Sequence, residues 1–381
     1  MNPEDFRCPE AGRVVRTPQG YPAFVPAPLP PKLQFDATLT LALSRADAAL
    51  AELAGLGALL PNPHLLIAPY MRREAVLSSR IEGTRSSLSD LLQDEAGSDL
   101  PHGEAADLRE VRNYVTALEF GIQRLKSLPL SLRLVRELHA RLMQGVRGER
   151  ATPGEFRRTQ NWIGPAGSTL ASAAYVPPPA REMQVALGEW ETFIHQREQL
   201  PDLVQCALLH EQFEAIHPFL DGNGRVGRLL ITLFLMERGR LPQPLLYLSA
   251  YIEKHRRDYY ELLQRVRTDC EWDAWLRFFL AGVEETARDA VTRARRLLDL
   301  REKFQSRFAG KPKMLALLDR LFINPYISVA QAQKILGVSN PTARQAVASL
   351  EKAGLLREIT GRAWGKLYLA KPILAVMDAT E

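Results

Sequence analysis

The segment that follows Gly224 constrains the fold of this chain more than any other. Its core, LLITLFLM, is apolar on every face of a helix. A helix without a polar face has to be surrounded by protein, so we predict a buried central helix over residues 224–238. Helical periodicity recurs over residues 36–56, 65–81, 105–126, 131–144, 180–199, 203–216, 250–269 and 273–306. Strands do not alternate with helices, and we therefore predict a mainly α fold.

Composition divides the chain into four parts. Residues 1–35 are rich in Pro and Gly and predict an extended arm that does not pack. Residues 36–125 form an N-terminal helical region, and residues 126–305 form a helical core. Within that core, the Gly-, Pro- and Ser-rich segment 152–180 allows a short hairpin.

Residues 306–381 form the fourth part. Three helices are expected there, at 314–322, 329–336 and 342–352, and the stretch LLREITGRAWGKLYL then alternates like two strands joined by a turn. Three helices followed by a hairpin predict a winged helix-turn-helix domain, with 342–352 as its recognition helix.

The charge of the chain is concentrated in this last part. Residues 301–381 hold 13 Lys and Arg against 6 Asp and Glu, whereas the rest holds 36 against 38. The basic residues favour contact with DNA: Arg344, Lys352, Arg357, Arg362 and Lys366. Dimerisation or another protein contact is the alternative use of the same domain, and the sequence leaves open whether the chain forms a homodimer.

Three features indicate a cytoplasmic protein. Cys8, Cys206 and Cys270 are odd in number, widely spaced and remote from any His cluster, so we expect neither a disulfide framework nor structural zinc. The N-terminal MNPEDFRCPEAG has acidic residues where a signal peptide has a basic and then an apolar segment. No apolar run approaches the roughly 18 residues of a membrane span, and we expect no membrane partner.

Residues 217–228, HPFLDGNGRVGR, lie between two predicted helices and suit an anion. Glycines at 222, 224 and 227 allow successive backbone N–H groups to form an anion nest at the start of the apolar helix. Arg225 and Arg228 lie three residues apart, so both guanidinium groups can reach one polyphosphate.

The same segment supplies two reactive groups. Asp221 is an oxygen ligand suited to Mg²⁺ shared with phosphate oxygens. His217 is the group here that can take a proton near pH 7. Together with the anion nest, they predict transfer of a phosphate-containing group from a nucleotide to a hydroxyl.

Other readings of this segment fit less well. GNGRVG also matches the dinucleotide-binding G-x-G-x-x-G, but the helical CALLHEQFEAI precedes it where a strand is needed. The chain has no Walker G-x-x-x-x-G-K-[ST] motif. Glu214 and His217 have the spacing of half a di-metal carboxylate site, but the second Glu-x-x-His is missing. A lone histidine is usually structural, yet here it lies among phosphate-binding residues.

The twelve residues match the signature H-P-F-x-[DE]-G-N-G-R-x-x-R without a mismatch, and the chain resembles the Fic family. SSRIEGT upstream, the segment GEFRRTQNWIG…AAYVPPP and YLSAYIEKHRRDYYELL downstream also look like Fic proteins of the bacterial type. The resemblance covers roughly residues 35–290 and implies a helical bundle with a short β-hairpin flap. A Fic core followed by a winged helix is a familiar layout.

The resemblance implies transfer of AMP from ATP to a Ser, Thr or Tyr hydroxyl of a target protein or of the chain itself. It makes His217 the base and Asp221 the Mg²⁺ ligand, and it makes Phe219 a structural residue. ATP would be bound by Glu82, Gly222, Asn223, Gly224, Arg225, Val226, Gly227, Arg228, Tyr251 and His255. Relatives resembling Doc, which phosphorylate, have Lys where this chain has Gly224.

Two of those positions are less regular. The family commonly has Asn, near the adenine, where this chain has His255, which departs from the pattern. Tyr251 either lines the same pocket or belongs to the core.

The resemblance also implies an inhibitory helix of the form [ST]-x-x-x-E-[GN]. Ser78, Glu82 and Gly83 fit it, and Ser78 and Glu82 share one helical face. A Glu82 carboxylate paired with Arg228 would remove the charge that orients the γ-phosphate. A surface Glu near a helix end is the alternative interpretation.

The segment 163–176 corresponds to a flap that pairs with the backbone of the target, or else it is a plain surface loop. A different function also remains open, in which the nucleotide site is the sensor of a DNA-binding regulator.

Overall fold

The computed structural model describes residues 1–59, 64–97, 105–146, 152–165 and 167–378. Fifteen α-helices, one 3-10 helix and five short strands lie in these ranges, which confirms the mainly α fold. No helix among these residues is long and apolar enough to cross a membrane.

The first 35 residues pack against the helical body, so the prediction of an unpacked arm was wrong. A 3-10 helix, Pro3–Asp5, precedes an antiparallel hairpin of β1 (Gly12–Arg16) and β2 (Pro22–Pro26). Phe24 is buried, with its ring 5.0 Å from that of Phe6 and 6.2 Å from that of Tyr175. Its amide donates to the carbonyl of Val176 at 2.9 Å. The prolines therefore lie at the two ends of β2, in a hairpin whose apolar residue Phe24 packs on Tyr175 of the helical body's connecting segment.

A disulfide joins this N-terminal part to the helical body, contrary to the expectation from the cysteine pattern. Cys8 pairs with Cys270 across 262 residues, with the two Cα atoms 5.8 Å apart. The pairing depends on how the hairpin docks, which spacing alone does not reveal. Cys206 is buried as a free thiol.

Eleven helices form the body. They are α1 (Ala37–Leu59), α2 (His64–Ile81), α3 (Leu88–Glu95), α4 (Ala105–Arg124), α5 (Leu132–Leu142), α6 (Ala180–His195), α7 (Asp202–Ile216), α8 (Asn223–Glu237), α9 (Ser249–Lys254), α10 (Arg256–Asp269) and α11 (Trp272–Arg307). α8 is buried along nearly its whole length between α7, α5, α4 and α2, which confirms the predicted central helix. α1 packs along the long helix α11.

Two body elements differ from the sequence prediction. Residues 250–269 were expected to form one helix, but His255 is non-helical at φ −111° and ψ 34° and separates α9 from α10. The short helix α3 was not predicted. It begins with a capping box in which Ser87 and Asp90 satisfy each other's backbone amides.

The C-terminal part contains α12 (Pro312–Ile323), β3 (Tyr326–Ser328), α13 (Val329–Leu336), α14 (Asn340–Lys352), β4 (Arg357–Glu358), β5 (Leu367–Leu369) and α15 (Lys371–Asp378). The strands form an antiparallel sheet in the order β3-β5-β4. Three helices and a hairpin occur in the predicted order, whereas β3 and α15 were not predicted. α12 and α15 both pack on α2.

Candidate functional site

The loop 217–222 joins α7 to α8 through two left-handed residues. His217 ends α7 at φ 47°, and Gly222 precedes α8 at φ 80°. Asn223 closes the loop, since its amide side chain accepts from the Phe219 amide and donates to the Phe219 carbonyl, both at 2.8 Å. A histidine at positive φ is strained, and such residues persist only where their surroundings hold them.

His217 is neutral in this environment. Burial is the main cause that lowers the pKa of His217 to about 3, and the charges of Arg157 and Arg267 add to it. Its Nδ1 is buried and accepts no hydrogen bond from the described residues. A neutral imidazole with one nitrogen enclosed can accept a proton at the other, Nε2.

Arg228 is bound to α2 by three hydrogen bonds. Its Nε donates to Ser78 Oγ at 2.8 Å, and its Nη2 donates to the Ser78 carbonyl at 3.0 Å and to Glu82 Oε1 at 2.7 Å. The Arg228 side chain is 2% exposed, against 34% for Glu82. Burial by itself raises the pKa of Glu82, but the attraction and hydrogen bond of Arg228 outweigh it and hold that pKa below its ordinary value.

Arg225 is bound to a different helix. Its Nη1 donates to Glu110 of α4 at 2.9 Å in a buried ion pair, and its Nη2 lies 3.6 Å from Asp221 Oδ1. The two signature arginines therefore have different hydrogen-bonded carboxylates, Glu82 directly after α2 for Arg228 and Glu110 of α4 for Arg225.

The three signature glycines have different surroundings, so the interpretation of all three as one nest was wrong. Gly222 has positive φ. A Cβ at Gly224 would lie 2.3 Å from Glu82 Oε1, so Gly224 faces Glu82 in the first turn of α8. A Cβ at Gly227 would lie 2.5 Å from Glu214 Oε1, so Gly227 faces α7 and allows the two helices to approach. Val226 is buried in the core.

Asp221 has the chemistry to bind a magnesium ion. Its side chain is 47% exposed, and Oδ1 accepts from the Gly222 amide at 2.6 Å. No group of three or more His, Cys, Asp or Glu side chains that could hold a metal occurs in the described ranges. A single carboxylate fits Mg²⁺ bound mainly through substrate phosphates and water.

Tyr251 and His255 form an aromatic group with Phe278 of α11. The rings of Tyr251 and His255 are 4.5 Å apart, and those of Tyr251 and Phe278 are 5.0 Å apart. Both side chains are partly exposed. A flat base could stack on such a surface.

The flap is less regular than the sequence suggested. Within 163–176 the described residues show one antiparallel bridge, Ile163 with Tyr175, rather than a longer ladder. Ile163 donates to the Tyr175 carbonyl at 2.8 Å. Trp162, just before the flap, is 42% exposed. Residue 166 lies outside the described residues.

The sequence profile of the Fic/DOC family N-terminal region matches residues 40–123, and that of the Fic/DOC family matches residues 129–235. The chain belongs to the Fic/DOC family. Phe219, His217 and the other signature residues lie in the second match.

Curated Fic relatives include proteins named protein adenylyltransferase Fic. That of Drosophila grimshawi is 28% identical over 205 residues, and that of Aedes aegypti is 28% identical over 206 residues. Each match covers 53% of this chain but only 38% and 37% of the relative, respectively. The matched region thus spans well under half of these relatives.

Solved Fic structures share the fold. A Fic family protein from Desulfovibrio desulfuricans G20 aligns with a TM-score of 0.58 at 21% identity, over 90% of this chain and 98% of that one. Fic-1 from C. elegans aligns with a TM-score of 0.52 at 19% identity, over 68% of this chain and 74% of the other.

Three side chains that support the Fic loop were missed by sequence reasoning. His139 stacks on Phe219 with ring centroids 3.7 Å apart, and its Nε2 lies 3.0 Å from the Asp221 carbonyl. Burial lowers the pKa of His139 to about 4. Arg157 and Asn161 donate to the carbonyl of His217. The segment GEFRRTQNWIG was the available signal for the last two.

Proposed function

We propose that this protein transfers AMP from ATP to a protein hydroxyl, with His217 as the general base. The observation that carries the proposal is a neutral, partly buried imidazole fixed at the end of α7, on the loop that leads into the N-terminus of α8. The target oxygen attacks the α-phosphorus, the bond to pyrophosphate breaks, and His217 Nε2 takes the hydroxyl proton. The curated relatives named protein adenylyltransferase Fic support the same reaction.

The start of α8 supports binding of the phosphates. Its first N–H groups are free of helical partners, and the helix dipole favours an anion there. We assign Gly222, Asn223 and Gly224 to the phosphate cradle and Arg225 and Arg228 to the β- and γ-phosphates. Val226 and Gly227 act through the packing of α8. Mg²⁺ on Asp221, when bound, would neutralise charge between the α- and β-phosphates.

The adenine is assigned to the aromatic group beside α9. Tyr251 and His255 offer stacking surfaces, and His255 can also donate a hydrogen bond in place of the Asn usual at that position.

Glu82 is proposed as an inhibitor of this reaction. Its carboxylate forms an ion pair with Arg228, and Ser78 accepts a hydrogen bond from the same guanidinium. Gly83, at positive φ, ends the turn that follows α2. While that ion pair persists, Arg228 is unable to orient a γ-phosphate. ATP then binds weakly or in an unreactive pose.

Labelled ATP tests the reaction. Purified Glu82→Gly protein is incubated with Mg²⁺ and ATP labelled at either the α- or the γ-phosphate, with Glu82→Gly/His217→Ala as the matched control. We expect protein-bound label from α-labelled ATP alone, and none in the control. Label from γ-labelled ATP would instead make the protein a kinase.

The target is proposed to bind along the flap. An extended peptide can add a strand to backbone groups of residues 163–176, as in other β-augmentation complexes. The proposal is supported by the short pairing within the flap, whose described residues form the single bridge Ile163–Tyr175.

A second function, DNA binding by the C-terminal part, is favoured by the turn between β4 and β5. Trp364 there is 81% exposed, and the exposed Arg362 and Lys366 lie on either side of it. An exposed aromatic side chain between two cations suits a nucleic acid.

Duplex binding by the full chain tests this second function. We expect affinity to fall steeply with salt and to drop in Arg362→Gln/Lys366→Gln, whereas Lys32→Gln at a distant exposed site serves as the control. Equal affinity of the two variants would exclude the β4–β5 turn as a DNA contact.

A further inference from the structure

Arg157 is a buried cation whose partners are carbonyl groups. Arg157 is 1% exposed, and each hydrogen bond that its guanidinium makes with the described residues goes to a backbone carbonyl. Burying an unpaired charge is costly, so its retention needs compensation from other groups. That compensation comes from four backbone carbonyls and identifies what the residue holds in place.

Two of those carbonyls belong to the end of α7. Nε donates to the His217 carbonyl at 3.0 Å, and Nη2 donates to that of Ile216 at 3.5 Å. The last carbonyls of a helix lack helical partners and carry the negative end of the dipole. A guanidinium placed there caps the helix and stabilises the left-handed conformation of His217.

The other two carbonyls flank the flap. Nη1 donates to the Thr159 carbonyl at 3.2 Å, and Nη2 donates to that of Pro178. The Arg157 amide also donates to the Pro218 carbonyl at 2.9 Å. The Arg157 side chain therefore contacts residues on both sides of the flap and the end of α7, and its amide adds a contact just after His217.

Asn161 reinforces the same contact. Its Nδ2 donates to the Phe219 carbonyl at 2.8 Å and to the His217 carbonyl at 3.4 Å. The neighbouring Arg158 is different, since its side chain is 86% exposed and pairs with Glu155 at the surface.

We propose that Arg157 is the positioning residue that fixes His217 relative to the flap, so that a hydroxyl presented on the flap meets the imidazole Nε2. The proposal rests on the proposed function of His217 as base. The charge of Arg157 also helps keep that imidazole neutral, together with Arg267 and against Glu82. The residues proposed to bind ATP do not include Arg157, so its substitution should lower kcat and leave ATP affinity unchanged.

Enzyme kinetics give the first test. In the Glu82→Gly background, Arg157→Lys retains the charge but loses the planar set of donors, and Arg158→Lys is the matched control. We expect kcat to fall by about 10- to 100-fold in Arg157→Lys, with the parent Kd for Mg²⁺-ATP, because misplacement by about 1 Å has such an effect. A kcat of Arg157→Lys equal to that of the parent would overturn the proposal. So would a loss of kcat that comes with an equal fold-loss of ATP affinity and a lower Tm.

Hydrogen exchange tests the positioning without requiring AMP transfer. Amide exchange in residues 159–178 and 216–219 should quicken in Arg157→Lys and, to a smaller extent, in Asn161→Ala, while α8 and the Arg158→Lys control stay as in the parent. An unchanged exchange pattern in both variants would contradict the positioning role of Arg157, even if the parent is inactive. Inactivity of the parent alone would count against the proposed AMP transfer instead.

Discussion

Arg228 contacts α2 through Ser78 as well as through Glu82, and this arrangement decides what a variant of Glu82 does. Removing one partner of a buried ion pair is usually severe because the other charge is left unpaired. Here the guanidinium keeps two bonds to Ser78 when Glu82 is removed. Glu82→Gly should therefore fold and leave Arg228 available to a phosphate.

The buried carboxyl group of Glu214 should make the free energy of unfolding depend on pH. Burial raises the pKa of Glu214 to about 7, and its Oε1 has no hydrogen-bond partner in the described residues. The folded protein thus binds a proton between about pH 4.5 and 7 that the unfolded chain releases, so the free energy of unfolding falls as the pH rises through this window.

Glu214→Gln removes that dependence while keeping the size of the side chain. Its free energy of unfolding relative to the wild type should rise from pH 4.5 to 7 by up to about 3 kcal/mol and then level off. Urea unfolding at a series of pH values measures it. A difference that is constant with pH would show that Glu214 is not protonated in the folded state.

The N-terminal hairpin is an element that the rest of the chain holds in place. The β2 amide of Phe24 bonds to Val176 at the end of the flap, and the Cys8–Cys270 disulfide anchors the segment before β1 to the end of α10. A cross-link between such distant positions restricts the unfolded chain strongly and typically stabilises by about 2–4 kcal/mol.

Reduction should therefore lower the thermal stability of the wild type. We expect a dithiol reductant to lower the Tm of the wild type. Cys8→Ser should have the Tm of the reduced wild type whether or not reductant is present. Differential scanning calorimetry of the two proteins provides the comparison. A reductant effect of the same size in Cys8→Ser would show that the Cys8–Cys270 bond is not its source.

The elements that sequence reasoning found are those with strong local signals. α8 was predicted because it is apolar all round, and α13 because its periodicity is clear. α3, β3 and the N-terminal hairpin were missed because such short elements take much of their stability from distant partners, although the capping box of α3 was an available local signal. Tyr326 of β3 pairs with Leu369 and bonds to Ser89, contacts that no local pattern encodes.

The same limit applied at the site. The signature identified His217, Asp221 and Arg228 because they share one short segment. Glu110 and Arg157 were missed because they reach the loop from other parts of the chain.

Across the whole molecule, the C-terminal part packs against α2, the helix that holds Ser78 of the proposed inhibitory contact. α12 and α15 pack on α2, Asn324 donates to the Leu92 carbonyl at 2.9 Å, and Arg293 of α11 donates to the Val376 carbonyl at 3.0 Å. The C-terminal part thus contacts α2, α3 and α11 of the helical body.

The intact mass of three proteins after incubation with ATP and Mg²⁺ shows both AMP transfer and its inhibition. We expect addition of AMP to Glu82→Gly, little or none to the wild type, and none to Glu82→Gly/His217→Ala. Equal addition to the wild type and Glu82→Gly would contradict the inhibitory ion pair. Addition to the His217→Ala form would contradict the assignment of the base.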